Sequence, residues 1–504
     1  MKGIVYWIEK RAYISPSRIA LIGENRRLTY KETAIEVNQL ADILHKKYNV
    51  RLGDRVAVLS ENRIEYLELL FAFAKLGSMA VPLNIRLSEK ELDFQLKDSQ
   101  TTILIVSQDF YEIGKELSNN NSLKHLIRVE DLFAATEEKA DFEYQPLLFE
   151  QTEVDGSTPF LIVYTSGTTG RPKGAVLTQE NMYWNAVNNV LSIDITSADR
   201  VLNILPLFHI GGIGLFALPT LFAGGSVVVP YRFEPEKILQ LIEEERITVM
   251  FGVPTIFDTL RKSESFAKTD FSSIRWFYSG GAPCPHELIT FYLNKGIPFG
   301  QGYGMTETSP TVFMLLKEDY KNKIGSLGKA APFVDIRIVD EQGEDVKDNE
   351  VGQLIFKGPS IFKEYWNLPA ETENSFKDGW FYSGDLAKRD DDGFIYIAGR
   401  KKDMIISGGE NIYPLEVEQV IGQHPSVDEA AVIGIPDEKW GEVPMAVISI
   451  KQEHKLTAEE LKEFCLSRLA KYKIPKNIEF VSVLPKNATG KIDKALLKNR
   501  YTNN

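Results

Sequence analysis

The chain has 504 residues, 43% of them hydrophobic, and a formal net charge of −12 at pH 7. At roughly 100–200 residues per domain this length predicts about three structural units, each large enough to bury a full core. The acidic balance argues against a nucleic-acid partner, because binding a phosphate backbone needs Lys and Arg gathered on one face.

The amino terminus and the two cysteines both bear on the compartment. Residues 1–11 contain an apolar run too short for a signal peptide, and they lack a small-residue cleavage site. Cys284 and Cys465 lie in no CxxC or metal-ligand spacing, which is typical of a reducing cytosol and argues against structural zinc. We therefore expect a cytoplasmic protein. A homodimer is compatible with these features.

Short apolar strands alternate with amphipathic helices through most of the first 400 residues. Residues 55–59, for example, read as a strand, and the apolar pattern of residues 66–72 reads as the helix that follows it. This alternation predicts an α/β fold in layers with largely parallel sheets.

An uncharged segment, residues 210–231, is long enough to cross a bilayer. It is interrupted by glycines and by Pro219, and it ends in β-branched valines. These breaks predict a buried helix, a tight turn and a core strand, with no membrane span.

The pattern changes towards the carboxyl terminus. From about residue 325, strands separated by hairpin turns indicate a small β-barrel or half-exposed antiparallel sheet. Beyond residue 399 the pattern predicts a smaller α+β unit, which includes a helix opened by a capping box at Thr457. We place the domain boundary near residue 400. The predicted domains are residues 1–399, with α/β subdomains and the small barrel, and a mobile α+β domain of residues 400–504.

The segment with the strongest chemical signal is Tyr164–Gly174, directly after an apolar strand at residues 160–163. Its glycines let the backbone approach anionic oxygens, and its hydroxyls and backbone N–H groups can donate to them. Lys173 adds a positive charge. The segment is not a Walker A loop, because there the lysine follows the last glycine and here Lys173 precedes Gly174. It predicts a phosphate-binding loop.

This loop resembles the signature phosphate loop of the adenylate-forming superfamily, which includes acyl-CoA synthetases, firefly luciferase and nonribosomal peptide adenylation domains. Other segments resemble the family's motifs in the family's order and together cover essentially the whole chain: residues 206–212, 279–283, 301–308, 382–386, 399–403 and 485–491. The resemblance implies ATP, Mg²⁺ and a two-step reaction that forms an acyl-adenylate and then a thioester.

The resemblance also implies where ATP would bind. The phosphate loop would contribute Thr165, Ser166, Gly167, Thr168, Thr169, Gly170 and Lys173. Gly280, Gly281 and Ala282 would line the base and the acid pocket, and Tyr303, next to Gly304, would stack on adenine.

Further resemblance assigns the catalytic groups. Thr306 would contact the α-phosphate and Glu307 would bind Mg²⁺, for which a carboxylate oxygen is a suitable ligand. Asp385, helped by Arg400, would hold the ribose. His209 would lie beside the acid carboxylate as a pocket residue, without acting as a general base.

Three elements of the carboxyl-terminal domain complete the expected site. Lys491 would donate to both the carboxylate and the α-phosphate, which relieves their mutual repulsion in the first transition state. Gly408 and Gly409 resemble the family's loop beside the pantetheine channel, with Trp440 and Lys439 near the nucleotide end of coenzyme A. Lys402 resembles the family's hinge.

We interpret the chain as an ATP- and Mg²⁺-dependent carboxylic acid–CoA ligase. The resemblance favours a medium- or long-chain fatty acid over an aryl acid of the cinnamate, benzoate or succinylbenzoate type. Other readings are a stand-alone enzyme that loads a carrier protein, and a non-catalytic nucleotide or acyl sensor. The residues expected to form a hydrophobic acyl or aryl slot are Ile210, Gly211, Gly212, Ile213, Phe216, Phe251, Val253, Tyr278 and Gly280.

Overall fold

The computed structural model describes residues 2–120, 123–137, 154–165, 171–486 and 491–502. The chain divides into two compact units. Unit 1 comprises Met1–Asp335 and Lys357–Phe381, and unit 2 comprises Ile336–Phe356 and Tyr382–Asn504. Segments on both sides of residue 400 thus belong to unit 2, and the domain boundary at that residue stays a prediction.

The amino-terminal elements alternate between helix and strand. They are α1 (Val5–Ile14), β1 (Ile19–Ile22), β2 (Arg27–Thr29), α2 (Tyr30–Lys46), β3 (Arg55–Leu59), α3 (Ile64–Leu76), β4 (Met79–Pro82), α4 (Glu89–Asp98), β5 (Ile103–Val106), α5 (Tyr111–Asn120), β6 (His125–Arg128), α6 (Val129–Glu137), β7 (Pro159–Thr165), β8 (Lys173–Thr178) and α7 (Gln179–Ile193). The strand and helix predicted at residues 55–59 and 66–72 are confirmed by β3 and α3.

The same alternation continues to the end of the first stretch of unit 1. The elements are β9 (Arg200–Leu202), α8 (Ala217–Ala223), β10 (Ser226–Val228), α9 (Pro235–Glu244), β11 (Val249–Gly252), α10 (Pro254–Lys262), β12 (Trp276–Ser279), α11 (His286–Asn294), β13 (Phe299–Tyr303), β14 (Phe313–Met314) and β15 (Lys329–Ala330). A π-helix, Gly211–Leu215, precedes α8.

The later elements are richer in strands. They are β16 (Asp335–Val339), β17 (Gly352–Lys357), β18 (Glu364–Tyr365), α12 (Pro369–Ser375), β19 (Phe376–Lys377), β20 (Trp380–Arg389), β21 (Ile395–Arg400), β22 (Ile405–Ser407), β23 (Glu410–Ile412), α13 (Pro414–Ile421), β24 (Val427–Asp437), β25 (Gly441–Ile450), α14 (Ala458–Leu466), β26 (Asn477–Val481) and α15 (Lys494–Thr502).

Two sheets form the layers of unit 1. One has the order β15-β14-β13-β12-β11-β9-β10-β1-β2, and the other has the order β18-β8-β7-β4-β3-β5-β6. Their central strands pair in parallel, and antiparallel strands lie at the edges. The parallel strands are almost fully buried because helices cover both faces, as the alternating pattern predicts. The α/β fold is confirmed.

The uncharged segment at residues 210–231 folds as predicted, into helix α8, a turn at Gly224 and strand β10. Gly224 has φ +89°, a left-handed conformation that suits glycine at a helix end. Strand β10 pairs with β9 and β1 inside the sheet. Across the described ranges, none of the helices combines the length and the apolar character needed to cross a bilayer.

Unit 2 contains antiparallel pairings. Strands β20 and β21 pair as a hairpin, and a second sheet has the order β23-β22-β25-β24, with β26 parallel to β25. Helices α13 and α14 pack their buried side chains on this sheet. The predicted capping box is confirmed, since the Thr457 hydroxyl accepts from the Glu460 backbone at 3.2 Å and the Glu460 carboxylate accepts from the Thr457 backbone at 2.8 Å.

Candidate active site

The phosphate-loop residues Ser166–Gly170 lie outside the described residues, and the two ends of the loop are held by a sheet ladder. Thr165 ends β7 and Lys173 begins β8, and the two residues are directly opposite each other in the antiparallel pair. The Lys173 ammonium forms an ion pair with the Glu371 carboxylate, and the lysine side chain is 15% exposed. The ion pair therefore holds the positive charge of Lys173 beside the end of the predicted phosphate loop.

A tyrosine connects this lysine to the predicted magnesium ligand. The Lys173 ammonium lies 5.4 Å from the centroid of the Tyr365 ring. The Tyr365 hydroxyl donates to Glu307 Oε1 at 2.8 Å. Burial, and secondly the negative charge of Glu307, raise the pKa of Tyr365 well above its ordinary value, so the hydroxyl remains a donor. Lys173, Tyr365 and Glu307 thus form one contiguous polar group.

The segment that carries Thr306 and Glu307 is a buried turn of 3-10 helix, Thr306–Thr308. Glu307 is 5% exposed, and its backbone carbonyl accepts from the Phe362 N–H at 2.8 Å. Gly304 precedes the turn, and a Cβ there would lie 1.5 Å from the Pro310 carbonyl oxygen. Only glycine fits at position 304, so the backbone there can pack directly against Pro310.

The donor chemistry at Glu307 fits Mg²⁺. The ion prefers hard oxygen ligands and is commonly bound through one or two carboxylates together with substrate phosphates. Glu307 supplies such a carboxylate beside the segment expected to meet the phosphates. Within the described ranges no group of three His, Cys, Asp or Glu side chains is placed to hold a metal ion.

His209 lies two residues before the first residue of the π-helix, Gly211. The residue is exposed, and Nδ1 accepts a hydrogen bond from the Gly211 backbone at 3.1 Å. The neutral ring therefore carries its proton on Nε2. A Cβ at Gly212 would lie 2.2 Å from the Pro206 carbonyl oxygen, so the backbone packs too tightly there for a side chain. The His209 side chain is therefore carried by a turn whose backbone is tightly packed.

Near the end of β12, three aromatic side chains pack against one another, and we call them the aromatic wall. Phe251 and Tyr278 stack at 6.4 Å, and Phe216 meets both rings edge-on at 5.7 and 6.1 Å. Phe216 and Tyr278 are 1% and 0% exposed, whereas Phe251 is 7% exposed. A Cβ at Gly280 would lie 2.9 Å from the Phe251 ring. Gly281, at φ +78°, and Ala282 are exposed beyond Gly280.

Tyr303, expected to stack on adenine, lies at the end of β13. Its ring is partly buried and packs at 5.9 Å and 46° to the Phe313 ring on the neighbouring strand. A Cβ at Gly302 would lie 2.7 Å from the Phe313 carbonyl oxygen. Only glycine therefore fits next to Tyr303, where the two paired strands approach closely.

Unit 2 brings three of the predicted residues together. Asp385 on β20 lies opposite Arg400 on β21 in the ladder, and their side chains form an ion pair at 2.6 Å. The Asp385 side chain is 5% exposed. Lys491 is exposed as a whole residue, but neighbouring groups reduce the solvation of its ammonium group. That desolvation, and secondly the charge of Arg400, lower the pKa of Lys491, while Asp385 opposes the shift.

Gly408 and Gly409 form the two-residue turn between β22 and β23. Both have positive φ, +61° and +89°, as the tight turns of two-residue hairpins require. A Cβ at Gly408 would lie 2.5 Å from the Trp440 ring. Lys439 and Lys476 place their ammonium groups 4.8 and 5.4 Å from that ring's centroid.

Lys402 lies in the 3-10 turn Lys401–Asp403, which directly follows β21, and its side chain is exposed. The neighbours on either side of the turn, Arg400 and Met404, have extended torsions. The position therefore lies between two ordered strands, β21 and β22, with no buried side chain in the turn.

Sequence reasoning missed two members of the site. Tyr365 and Glu371 follow Glu307 by about 60 residues, and no local pattern connects them to it. A signal was present for a third feature, the asparagines at positions 181, 185, 188 and 189. Their spacing is that of one helix face, which polar residues occupy when that face meets buried backbone.

Comparisons with known proteins identify the family of the chain. The profile of the AMP-binding enzymes matches residues 8–366, and that of the AMP-binding enzyme C-terminal domain matches residues 416–491. A feruloyl-CoA synthase of Amycolatopsis sp. is 41% identical over 500 residues, with 99% of each chain covered. The long-chain-fatty-acid–CoA ligase FadD13 of Mycobacterium tuberculosis is 37% identical over 508 residues, with 100% of this chain and 99% of that protein covered.

A solved structure shows the same fold. It is the o-succinylbenzoate coenzyme A synthetase (MenE) from Bacillus subtilis in complex with ATP and magnesium ion. The TM-score is 0.86 at 36% sequence identity, and 98% of each chain is covered.

Proposed function

This chain belongs to the family of AMP-binding enzymes and is an AMP-forming acid–CoA ligase, and we propose that its acid carries a compact aromatic group. In the first step a carboxylate oxygen attacks the α-phosphate of ATP, and the bond to pyrophosphate breaks. In the second step the thiol of coenzyme A attacks the acyl carbon, and AMP leaves.

In unit 1, we assign the phosphates and the metal to the group around Glu307. Lys173 and the loop it follows would hold the β- and γ-phosphates, and Thr306 the α-phosphate. Glu307, oriented by Tyr365, would bind Mg²⁺. The ion would neutralise phosphate charge and hold the pyrophosphate leaving group. Since Glu307 is buried and its Oε1 already accepts a hydrogen bond, the carboxylate is aligned before the nucleotide binds.

In unit 2, the ion pair of Asp385 and Arg400 would hold the ribose, and Lys491 would supply the positive charge of the adenylation transition state. The acid and the α-phosphate are both anionic, so a lysine that donates to both lowers the barrier. The hairpin of Gly408 and Gly409 would guide the thiol in the second step, with Trp440 beside it.

The aromatic wall supports the choice of acid. Phe216 and Tyr278 are fully packed, and the Tyr278 hydroxyl donates to the Leu315 carbonyl at 3.0 Å, which fixes the ring in place. Because these rings are packed against one another, we take the slot beside them to fit a compact, flat acid better than a long alkyl chain. The feruloyl-CoA synthase among the relatives agrees with this choice. A medium- or long-chain fatty acid is the alternative, which FadD13 represents.

A panel of acids tests the proposal. Pyrophosphate release would be measured with cinnamate, ferulate, benzoate, 2-succinylbenzoate, octanoate and palmitate, each with and without coenzyme A. We expect kcat/KM for an aromatic acid to exceed that for palmitate by at least about tenfold, the selectivity that one well-fitting apolar contact provides. A higher kcat/KM for palmitate would contradict the proposal that the acid is aromatic. Failure of every acid to release pyrophosphate would count against the ligase activity itself.

Removing the charge of Glu307 should raise the magnesium requirement. Glu307→Gln keeps an oxygen that can accept from Tyr365 but loses the anionic ligand. We expect the Mg²⁺ concentration for half-maximal adenylation to rise by at least about tenfold, because even indirect partners of a metal site cost that much affinity. Glu364→Gln, at a half-buried position on β18, is the matched control. An unchanged requirement in Glu307→Gln would remove this carboxylate from the metal site.

The lowered pKa of Lys491 predicts an alkaline limb in the first step. The ammonium form is the one that can donate to two anions, so adenylation should fall as pH rises through a value below the ordinary pKa of lysine. The measurement is the pH profile of acid-dependent pyrophosphate exchange. Lys491→Arg remains protonated over the same range and should lack this limb, whatever its residual rate. An identical limb in both proteins would assign it to another group.

A further inference from the structure

Helix α7 presents four buried asparagines on one face, all in unit 1. Asn185, Asn188 and Asn189 are 0% exposed and Asn181 is 7% exposed. A buried amide without partners is costly, so such a cluster persists where its amides have polar groups to bind. Asn181, Asn185 and Asn188 each bind the backbone of a segment remote in sequence, and Asn189 binds Asn185 and the Thr311 side chain.

Asn185 binds two such segments at once. Its Nδ2 donates to the Gly214 carbonyl of the π-helix at 2.6 Å. Its Oδ1 accepts from the Thr311 N–H at 3.2 Å. Gly214 is five residues after His209, and Thr311 is four residues after Glu307. One side chain therefore bridges the segment that displays the histidine and the segment that carries the buried carboxylate.

The two segments also touch directly at this point. A Cβ at Gly214 would lie 2.7 Å from Pro310 Cδ and 2.8 Å from the Ser309 carbonyl oxygen. Asn189 reinforces the bridge, since its Nδ2 donates to the Thr311 hydroxyl at 3.0 Å and to Asn185 Oδ1 at 3.3 Å. The bond from Asn189 therefore fixes the orientation of the Asn185 amide. Together these bonds restrict the movement of the two segments relative to each other.

We propose that Asn185 is a positioning residue that sets the distance between the acid carboxylate and the α-phosphate in the adenylation step. The inference rests on the proposed function, in which the π-helix side receives the acid and Thr306 and Glu307 receive the phosphates. Adenylation needs the attacking oxygen close to phosphorus and in line with the leaving group, and displacements of about 1 Å in such a step cost about a hundredfold in rate. Asn185 controls this separation without touching either substrate.

The expected signature is a split between kcat and KM. Each segment keeps its own internal contacts in Asn185→Ala, so acid and ATP should each bind with KM within about threefold of the wild-type value. The kcat of adenylation per active site should fall by about a hundredfold. Active sites would be counted from the burst of acyl-adenylate formed without coenzyme A, so that a smaller folded fraction does not count as a slower rate.

Asn188→Ala is the matched control. Asn188 lies on the same helix face with the same burial, but its Oδ1 accepts from the Phe333 N–H at 2.9 Å and does not bridge Gly214 to Thr311. We expect its kcat per active site to stay within about threefold of wild type even if both alanine variants lose similar thermal stability. Equal losses of kcat per site in the two variants would show a general packing effect and overturn the proposal.

Asn185→Asp tests the hydrogen bond itself and keeps the size of the side chain. A buried carboxyl has a raised pKa, and its protonated form can again donate to the Gly214 carbonyl. The rate of this variant per active site, relative to wild type at the same pH, should therefore rise as pH falls. A ratio independent of pH would overturn the proposal, as would a tenfold rise in the KM of one substrate alone with kcat unchanged. Wild-type protein without acid-dependent pyrophosphate exchange would instead refute the proposed function.

Discussion

Lys491→Ala is expected to reduce acid-dependent pyrophosphate exchange by about two to three orders of magnitude, the loss that follows removal of one electrostatic donor from a transition state. The Lys491 ammonium lies in the field of Arg400 and Asp385, and burial of this group, and secondly the charge of Arg400, lower its pKa. The second half-reaction should suffer far less, because no new negative charge has to approach a phosphate. The measurement is the rate of thioester formation from supplied acyl-AMP and coenzyme A.

The neighbouring lysine is a suitable control for this experiment. Lys486 belongs to the same carboxyl-terminal segment and forms an ion pair with Glu429 at 2.9 Å. Lys486→Ala removes a positive charge of the same type and should leave pyrophosphate exchange close to that of the wild type. Equal losses in both half-reactions of Lys491→Ala, in a folded protein, would contradict a role confined to adenylation.

Lys402→Pro is expected to leave adenylation largely intact and to slow thioester formation by orders of magnitude. Lys491 and the turn of Gly408 and Gly409 both belong to unit 2, yet we assign them to different half-reactions. We therefore propose a rotation about Lys402 between the two steps, as the resemblance implies. Proline fixes its own φ near −65° and disfavours helical torsions at Lys401, so the backbone could no longer change there.

Lys402→Ala distinguishes the effect of losing the lysine charge from the effect of restricting the backbone torsions. Lys402→Ala removes the same ammonium and leaves the backbone torsions unrestricted, so it should lose far less thioester formation than the proline variant. Stopped-flow measurement of acyl-CoA formed from acyl-AMP distinguishes the two. A normal rate in Lys402→Pro would place the hinge elsewhere or exclude the rotation.

Much of the fold could be predicted because the relevant signals are local. Alternation of strand and helix predicted β3 and α3, and the pairing of Thr457 with Glu460 predicted the start of α14. The rejection of a membrane span in residues 210–231 relied on glycine and proline; Gly224 ends helix α8, whereas Pro219 lies in its first turn. Each of these features is decided by residues within a few positions of one another.

The candidate site was less predictable because its contacts cross long stretches of chain. The motif residues could be identified through their resemblance to a family, but Tyr365 and Glu371 have no such local pattern around Glu307 and Lys173. The hairpin register that places Asp385 opposite Arg400 likewise depends on a bulge between Leu386 and Ala387. A bulge changes pairing by one residue, which periodicity alone does not reveal.

The bridge through Asn185 has a consequence for how this fold can acquire new substrates. Its amide contacts main-chain atoms of Gly214 and Thr311, so it makes no demand on the side chains at Ile213 or Phe216. These side chains are predicted to line the acid slot, so exchanging them would reshape it while the backbone frame keeps the reacting groups at their working distance. Retargeting by directed evolution should therefore succeed most readily at Ile213 and Phe216, with the asparagine face of α7 left untouched.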